Sequence, residues 1–181
     1  LYDSRRLNFT DNTIFFAFKT ADNDGHKYIK ELYNKGIRFF ICQQIPDSNK
    51  FPNAVFLLVN NTLDALQQIA KYKRENFKKE VVAITGSNGK TIIKEWVVQL
   101  AQEDKKICYS PRSYNSQIGV PLSVWGLWEK TEIAVFEAAI SEKGEMAALE
   151  RIVKPTIGIF TCLGTAHQEN FSSMEEKCRE K

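Results

Sequence analysis

The stretch EVVAITGSNGKTIIKEWVVQL, residues 80–100, decides the fold. The run from Val81 to Ile84 is apolar and largely β-branched, the pattern of a strand covered on both faces, whereas Ile92, Ile93, Trp96, Val97 and Leu100 recur at helical spacing. The period switches across the turn between them, so the stretch reads as a buried strand, a tight turn and an amphipathic helix. Gly86 and Gly89 let the turn's backbone approach a ligand closely, and the unpaired N–H groups of the helix's first turn favour an anion there. With Ser87 and Asn88 they form the loop TGSNGKT, in which Lys90 adds a movable positive charge and Thr91 a hydroxyl where phosphate-binding loops hold Mg²⁺.

The general phosphate-loop pattern asks for a glycine five positions before the Gly-Lys pair, and Ile84 stands there. The match is partial. A strand-to-helix turn whose glycines merely relieve backbone strain is the plainer reading, but it leaves Gly-Lys-Thr at the head of a helix unexplained.

Outward from this stretch, strands and helices alternate. Residues 14–18, 37–42 and 55–59 read as short strands, with a helix from Lys27 to Asn34 ending at Gly36, and another from an Asn61-Thr62 cap to about Lys73. This is a small α/β unit. The charged stretch KYKRENFKKE, 71–80, is its expected boundary, and a second unit begins with the phosphate-loop strand. Further strands are expected at 133–136 and 157–160, with helices near 90–103, 119–128 and 144–153. The fold class is α/β with a mainly parallel sheet, whose ligands bind beyond the carboxyl ends of the strands.

Bulk properties exclude several classes. A net charge of +3 is too small to argue for nucleic acid, and the cluster Lys71, Lys73, Arg74, Lys78 and Lys79 is interrupted by Glu75 and reads as a solvated helix end. Cys42, Cys108, Cys162 and Cys178 lack metal-type spacing and are expected to be reduced, mostly buried thiols of a cytoplasmic protein. No apolar run approaches membrane-spanning length, and the start, LYDSRRLNF, has no signal-type core, so no membrane insertion is expected and both ends look trimmed.

The strand ends carry the chemistry. The phosphate-loop strand ends in TGSNGKT, the 133–136 strand in Glu137, and the 157–160 strand in TCLGTAH with His167. Mg²⁺-ATP suits such an edge, because magnesium wants hard oxygen ligands: Thr91 and Glu137 could hold it beside the phosphates, with His167 on a second ion or on phosphate.

Taken in order, TGSNGKT, YNSQIGVPLSVW at 114–125, FEAAISEKGEM at 136–146 and IGIFTCLGTAHQENFSS at 157–173 resemble the Mur ligases, the ATP-dependent amide ligases of peptidoglycan precursor synthesis. The phosphate loop without its first glycine is that family's own version. IGVPLS and the spacing of Glu137 from Gly144 and Glu145 look most like the branch that adds D-alanyl-D-alanine to UDP-N-acetylmuramoyl-tripeptide. The DSR of Asp3 to Arg5, the IFFAF strand and DGHKYI at 24–29 are similar to that branch's UDP-sugar-binding domain. SPRSYNSQIGVPLSVW also resembles forms fused to an alanine racemase, although no racemase residue is visible.

The resemblance implies an N-terminal UDP-sugar-binding domain over 1–79, the first part of a P-loop ATPase domain over 80–181, and a C-terminal amino-acid-binding domain that is absent. Residues Gly86 to Thr91 would hold ATP phosphates, with Lys90 on the β/γ oxygens and Thr91 on Mg²⁺; Glu137 would bind the first magnesium and His167 the second. Asn115 belongs to the segment that the family brings to the active site, and Lys181, fourteen positions after His167, matches a lysine that is carbamylated in several members. Ser4, Arg5, Asp24, Gly25 and His26 would help hold the uridine diphosphate. Cys162, Ser116 and Ser141 each replace the family's usual asparagine, a departure that bears on the second metal. A folylpolyglutamate-synthase-like ligase or a non-catalytic nucleotide- or UDP-binding module are the alternatives, and the fragment alone is not expected to ligate.

Overall fold

The computed structural model describes residue 10, residues 12–164 and residues 170–181. Ser4, Arg5 and His167 therefore lie outside the described residues. The chain divides into two compact units, Leu1–Leu66 and Gln67–Lys181.

In the first unit, β1 (Ile14–Phe16), β2 (Phe39–Cys42) and β3 (Val55–Leu58) form a parallel sheet in that order, with α1 (Ile29–Asn34) between the first two. Phe15, Phe40 and Phe56 are in register across it. The Phe40 and Phe56 rings stack at 5.2 Å, and Phe15 meets Phe40 edge-on at 6.3 Å. With Ile29 and Leu32 of α1 they make the core.

Helix α2 (Thr62–Glu75) starts where Asn61 Oδ1 accepts the backbone N–H groups of Leu63 (2.8 Å) and Asp64 (3.2 Å). The division between the units falls inside this helix, not at 79/80, so the charged stretch belongs to the second unit. Arg74 explains why. It is 7% exposed, and its guanidinium donates to the carbonyls of Val153 (2.6 Å), Lys154 (2.5 Å) and Phe77 (2.7 Å). One member of the expected solvated cluster is thus a buried clamp.

The second unit contains β4 (Glu80–Thr85), α3 (Lys90–Ala101), β5 (Ile107–Tyr109), α4 (Gly119–Trp125), β6 (Ile133–Glu137), α5 (Glu145–Val153), β7 (Ile157–Phe160) and α6 (Met174–Glu180). Among the described residues its four strands are all parallel, in the order β5-β6-β4-β7. Alternation along β4 and β6 sends Val81, Ala134 and Phe136 toward α4 and α5, and Val82, Ile84 and Val135 toward Ile93, Val97 and Val98 of α3. Strand β4 therefore exits to a helix on one face and its neighbour β6 to a helix on the other. Their carboxyl ends open the crevice in which such sheets bind ligands.

Three details differ from the sequence reading. Strand β5 is not foreshadowed, because three residues between a lysine pair and Ser-Pro carry no readable period. On α3 only Ile93 and Val97 of the expected apolar set pack on the sheet, whereas Ile92, Trp96 (61% exposed) and Leu100 (82% exposed) lie on the outer side. Of the four free cysteines, Cys42 and Cys108 are buried but Cys162 and Cys178 are exposed. Burial pushes the Cys108 thiol up to about 11. Among the described residues no helix is long and apolar enough to cross a membrane.

Candidate active site

The loop from Gly86 to Gly89 is shaped by two left-handed glycines, at φ +137° and +80°, the second serving as N-cap of α3. Gly86 admits no side chain, since a Cβ there would stand 2.0 Å from Thr161 Oγ1. The segment after β7 braces the loop: Ser87 N–H donates to the Cys162 carbonyl (2.8 Å), Thr161 Oγ1 to the Asn88 carbonyl (2.6 Å), and Gly164 N–H to Ser87 Oγ (2.9 Å). Lys90 folds back across the loop, its ammonium on the carbonyls of Gly86 (2.9 Å) and Ser87 (3.1 Å).

Register aims the carboxylate. Glu137 pairs with Ile84 at the end of β6 and has the parity of Val135, which faces α3. Its Oε2 accepts the Thr91 hydroxyl at 2.9 Å and its Oε1 the Asn115 side-chain amide at 2.6 Å, although the residue is only 1% exposed. A carboxylate has about four acceptor sites, so two donors leave capacity for a hard cation. A hydroxyl and a carboxylate on adjoining elements suit magnesium. Among the described residues no three His, Cys, Asp or Glu side chains gather as metal ligands.

Asn115 is held by its backbone as well, its carbonyl accepting Ala139 N–H at 2.9 Å. Ser110, which the sequence reading missed, is fully buried, and its Oγ accepts the Glu137 N–H at 3.1 Å. Lys94, also missed, is fully buried behind it. Lys181 lies across the loop from Lys90, with Nζ 3.3 Å from the Gly86 carbonyl. Burial above all, and then the ammonium groups of Lys90 and Lys177, bring it down to about 8.

This loop, carboxylate and parallel sheet coincide with a known family: residues 84–181, more than half of the chain, match the Mur ligase middle domain. The chain belongs to the Mur ligase family. It is 37% identical over 166 residues to a UDP-N-acetylmuramoyl-tripeptide--D-alanyl-D-alanine ligase of Rickettsia prowazekii, covering 90% of this chain and 36% of that protein. The Bacillus subtilis ligase of the same name is 32% identical over 174 residues, covering 96% and 37%. Among solved structures, MurF from Acinetobacter baumannii superposes over the whole chain and 39% of its own, with TM-score 0.90 and 29% identity. MurF from Thermotoga maritima in complex with ADP covers 99% and 41%, with TM-score 0.84 and 30% identity. The chain thus spans less than two fifths of the length of these curated Mur ligases.

At the three positions that depart from the usual Mur ligase asparagine, the side chains do local work. Ser116 Oγ accepts Gly119 N–H at the start of α4 (3.2 Å), Ser141 donates its hydroxyl to Glu145 (3.1 Å), and Cys162 Sγ lies 3.6 Å from the Asn88 carbonyl.

In the first unit, Asp24 Oδ1 accepts both the His26 N–H (2.9 Å) and the ring Nδ1–H (2.6 Å). These contacts, the backbone one foremost, hold its carboxyl below the usual range. His26 Nε2 accepts Gln43 N–H at 3.0 Å, which fixes the tautomer. The imidazole is therefore a latch between the Asp24–His26 turn and the end of β2, and Gly25 in the middle of that turn is buried.

Proposed function

We propose that the chain is the sugar-nucleotide-binding and phosphate-binding part of a cytoplasmic Mur ligase that joins D-alanyl-D-alanine to UDP-N-acetylmuramoyl-tripeptide at the expense of ATP. The observation that carries this reading is the buried Glu137 carboxylate held by Thr91 and Asn115 at the mouth of the Gly86–Thr91 loop.

The γ-phosphoryl group of ATP passes to the tripeptide carboxylate, giving an acyl phosphate and ADP. The amine of the dipeptide attacks the acyl carbon, loses a proton, and phosphate leaves as the amide forms. The loop N–H groups other than that of Ser87, which the Cys162 carbonyl already takes, and those at the head of α3 cradle the phosphates. Lys90 exchanges the carbonyls of Gly86 and Ser87 for β/γ oxygens and stabilises the charge that develops on the transferring group. Thr91 and Glu137 would hold Mg²⁺, which supplies neutralising charge on the phosphate oxygens when bound. His167 would serve a second ion, and Lys181, as a carbamate, would join the two. Ser4, Arg5 and the Asp24–Gly25–His26 turn would hold the uridine diphosphate.

The test is phosphate release by the full-length protein given UDP-N-acetylmuramoyl-tripeptide, D-alanyl-D-alanine and Mg²⁺-ATP. Release should need both peptide substrates and vanish in Lys90→Ala, and residues 1–181 alone should not ligate. Release indifferent to the peptides would move the activity to another amide ligase of the superfamily. Alanine racemisation by the same full-length preparation would add the fused racemase that SPRSYNSQIGVPLSVW resembles.

A further inference from the structure

Lys94 is 0% exposed in the first turns of α3, one helical turn after Thr91 and on the sheet-facing side with Val98. A buried ammonium is costly unless each of its three N–H groups finds an acceptor. Here two donate, to the Ser110 carbonyl at 2.9 Å and to the Arg112 carbonyl, and Glu95 Oε1, 2.9 Å away, supplies an ion-pair partner. Both acceptors are main-chain groups of the loop that leads from β5 to α4.

That loop is not regular structure, and it needs holding. Arg112 sits at φ +53°, a conformation unfavourable for a side-chain-bearing residue. Beyond it, Asn115 reaches Glu137 Oε1, and before it Ser110 Oγ takes the Glu137 N–H. The same helix therefore presents Thr91 to one oxygen of Glu137 and, through Lys94, fixes the loop that grips the other oxygen.

We propose that Lys94 is a positioning residue for the metal and phosphate site: its ammonium pins the 110–115 loop so that Asn115 keeps the Glu137 carboxylate aimed at Thr91. It touches neither nucleotide nor metal. The inference rests on the reading of Thr91 and Glu137 as the magnesium donors, so its test separates the two.

In the full-length protein, Lys94→Met keeps length and apolar contacts but removes all three donors. It should raise the Mg²⁺ concentration for half-maximal turnover about tenfold, the size expected when a partner of a ligand is lost. Asn115→Ala should do the same, and the double variant should be no worse than either single one, because Lys94 acts through Asn115. Lys94→Arg, which keeps a cation and its donors, should recover part of the loss and serves if the methionine variant fails to fold. Amide hydrogen exchange gives a readout independent of magnesium: Glu137 and Ala139 should lose protection in Lys94→Met while β4 and β7 keep theirs. Additive effects of Lys94→Met and Asn115→Ala, or unchanged exchange at Glu137 and Ala139, would overturn the assignment. Exchange that changes as expected while Asn115→Ala leaves the magnesium requirement untouched would leave Lys94 as the loop's anchor and defeat the magnesium reading of Glu137.

Discussion

Thr91 Oγ1 and Glu137 Oε2 stand 2.9 Å apart, one at the head of α3 and the other at the carboxyl end of the neighbouring strand, inside a site from which Glu137 is almost wholly shielded. Glu137→Gln keeps the shape, its carbonyl still accepting the Asn115 amide and its new amide donating to Thr91 Oγ1, but it removes the negative charge. Turnover by the full-length protein should fall by about two to three orders of magnitude, the range for losing one preorganised electrostatic contact. The melting temperature should move little, because no donor is stranded. Equal losses of turnover and of folded protein would assign Glu137 to the fold alone.

Gly86 makes a prediction of a different kind. An alanine there combines an unfavourable φ of +137° with a methyl group 2.0 Å from Thr161 Oγ1 and 3.0 Å from the backbone of Cys162. Gly86→Ala should therefore displace the 161–164 brace and weaken ADP binding by an order of magnitude or more, an estimate of about 1–3 kcal/mol for a residue forced into a strained conformation. Removing the obstructing hydroxyl in Gly86→Ala/Thr161→Ala should recover only part of the affinity, since the Cys162 contacts and the backbone strain remain. Calorimetric titration with ADP reads both variants. Full recovery would show that the side-chain clash alone was at fault.

What could be read in advance follows from what leaves a local pattern. The change of period at Gly86 and the carboxylate ending the Ile133–Glu137 run are local, so β4, α3, β6 and Glu137 were legible. Lys94 was not, because a lysine among Ile93, Trp96 and Val97 reads as solvent-facing until the loop carbonyls that satisfy it are in place. The same holds for Ile92, Trp96 and Leu100, which share helical spacing with the residues that do pack. Arg74 was misplaced for the converse reason: its three acceptors include carbonyls some eighty residues away, and the charged neighbours in sequence suggested a solvated end. At His26, a residue proposed to help hold the uridine diphosphate, the sequence leaves unseen that the ring is engaged by Asp24 and by the amide of Gln43, a partner that no spacing rule announces.

Arg74 should be worth more to the second unit than its place in a lysine-rich stretch suggests. Arg74→Ala strands the carbonyls of Phe77, Val153 and Lys154 and removes the tie between α2 and the end of α5. The expected cost is about 2–4 kcal/mol, at roughly 1–3 kcal/mol for each buried group left without a partner and with water reaching some of them. Arg74→Lys should restore little, because a single ammonium cannot span a fork of three carbonyls. Urea unfolding followed by tryptophan fluorescence checks both, and a change below about 0.5 kcal/mol, the ordinary range of surface substitutions, would return Arg74 to the solvated cluster.

Lys181 follows α6 beside the phosphate loop, and its amine is brought below the ordinary lysine value. Burial foremost, with Lys90 and Lys177 next, lowers it from 10.5 to about 8, against an opposing pull from Cys162. Between those two values the unfolded chain binds the proton and the folded chain does not, so this group's contribution to stability rises with pH across that window. Near neutral pH it therefore keeps an uncharged fraction that ordinary lysines lack, and the uncharged amine is the form that reacts with carbon dioxide or an acyl donor. Brief acetylation at a series of pH values, read peptide by peptide by mass spectrometry, should give Lys181 a midpoint of about 8, well below the ordinary lysine value of about 10.4. Lys90→Ala removes one of the two ammonium groups and should move that midpoint upward. A midpoint at the ordinary lysine value would mean that the amine is solvated, and the case for Lys181 as the carbamylated position would rest on spacing alone.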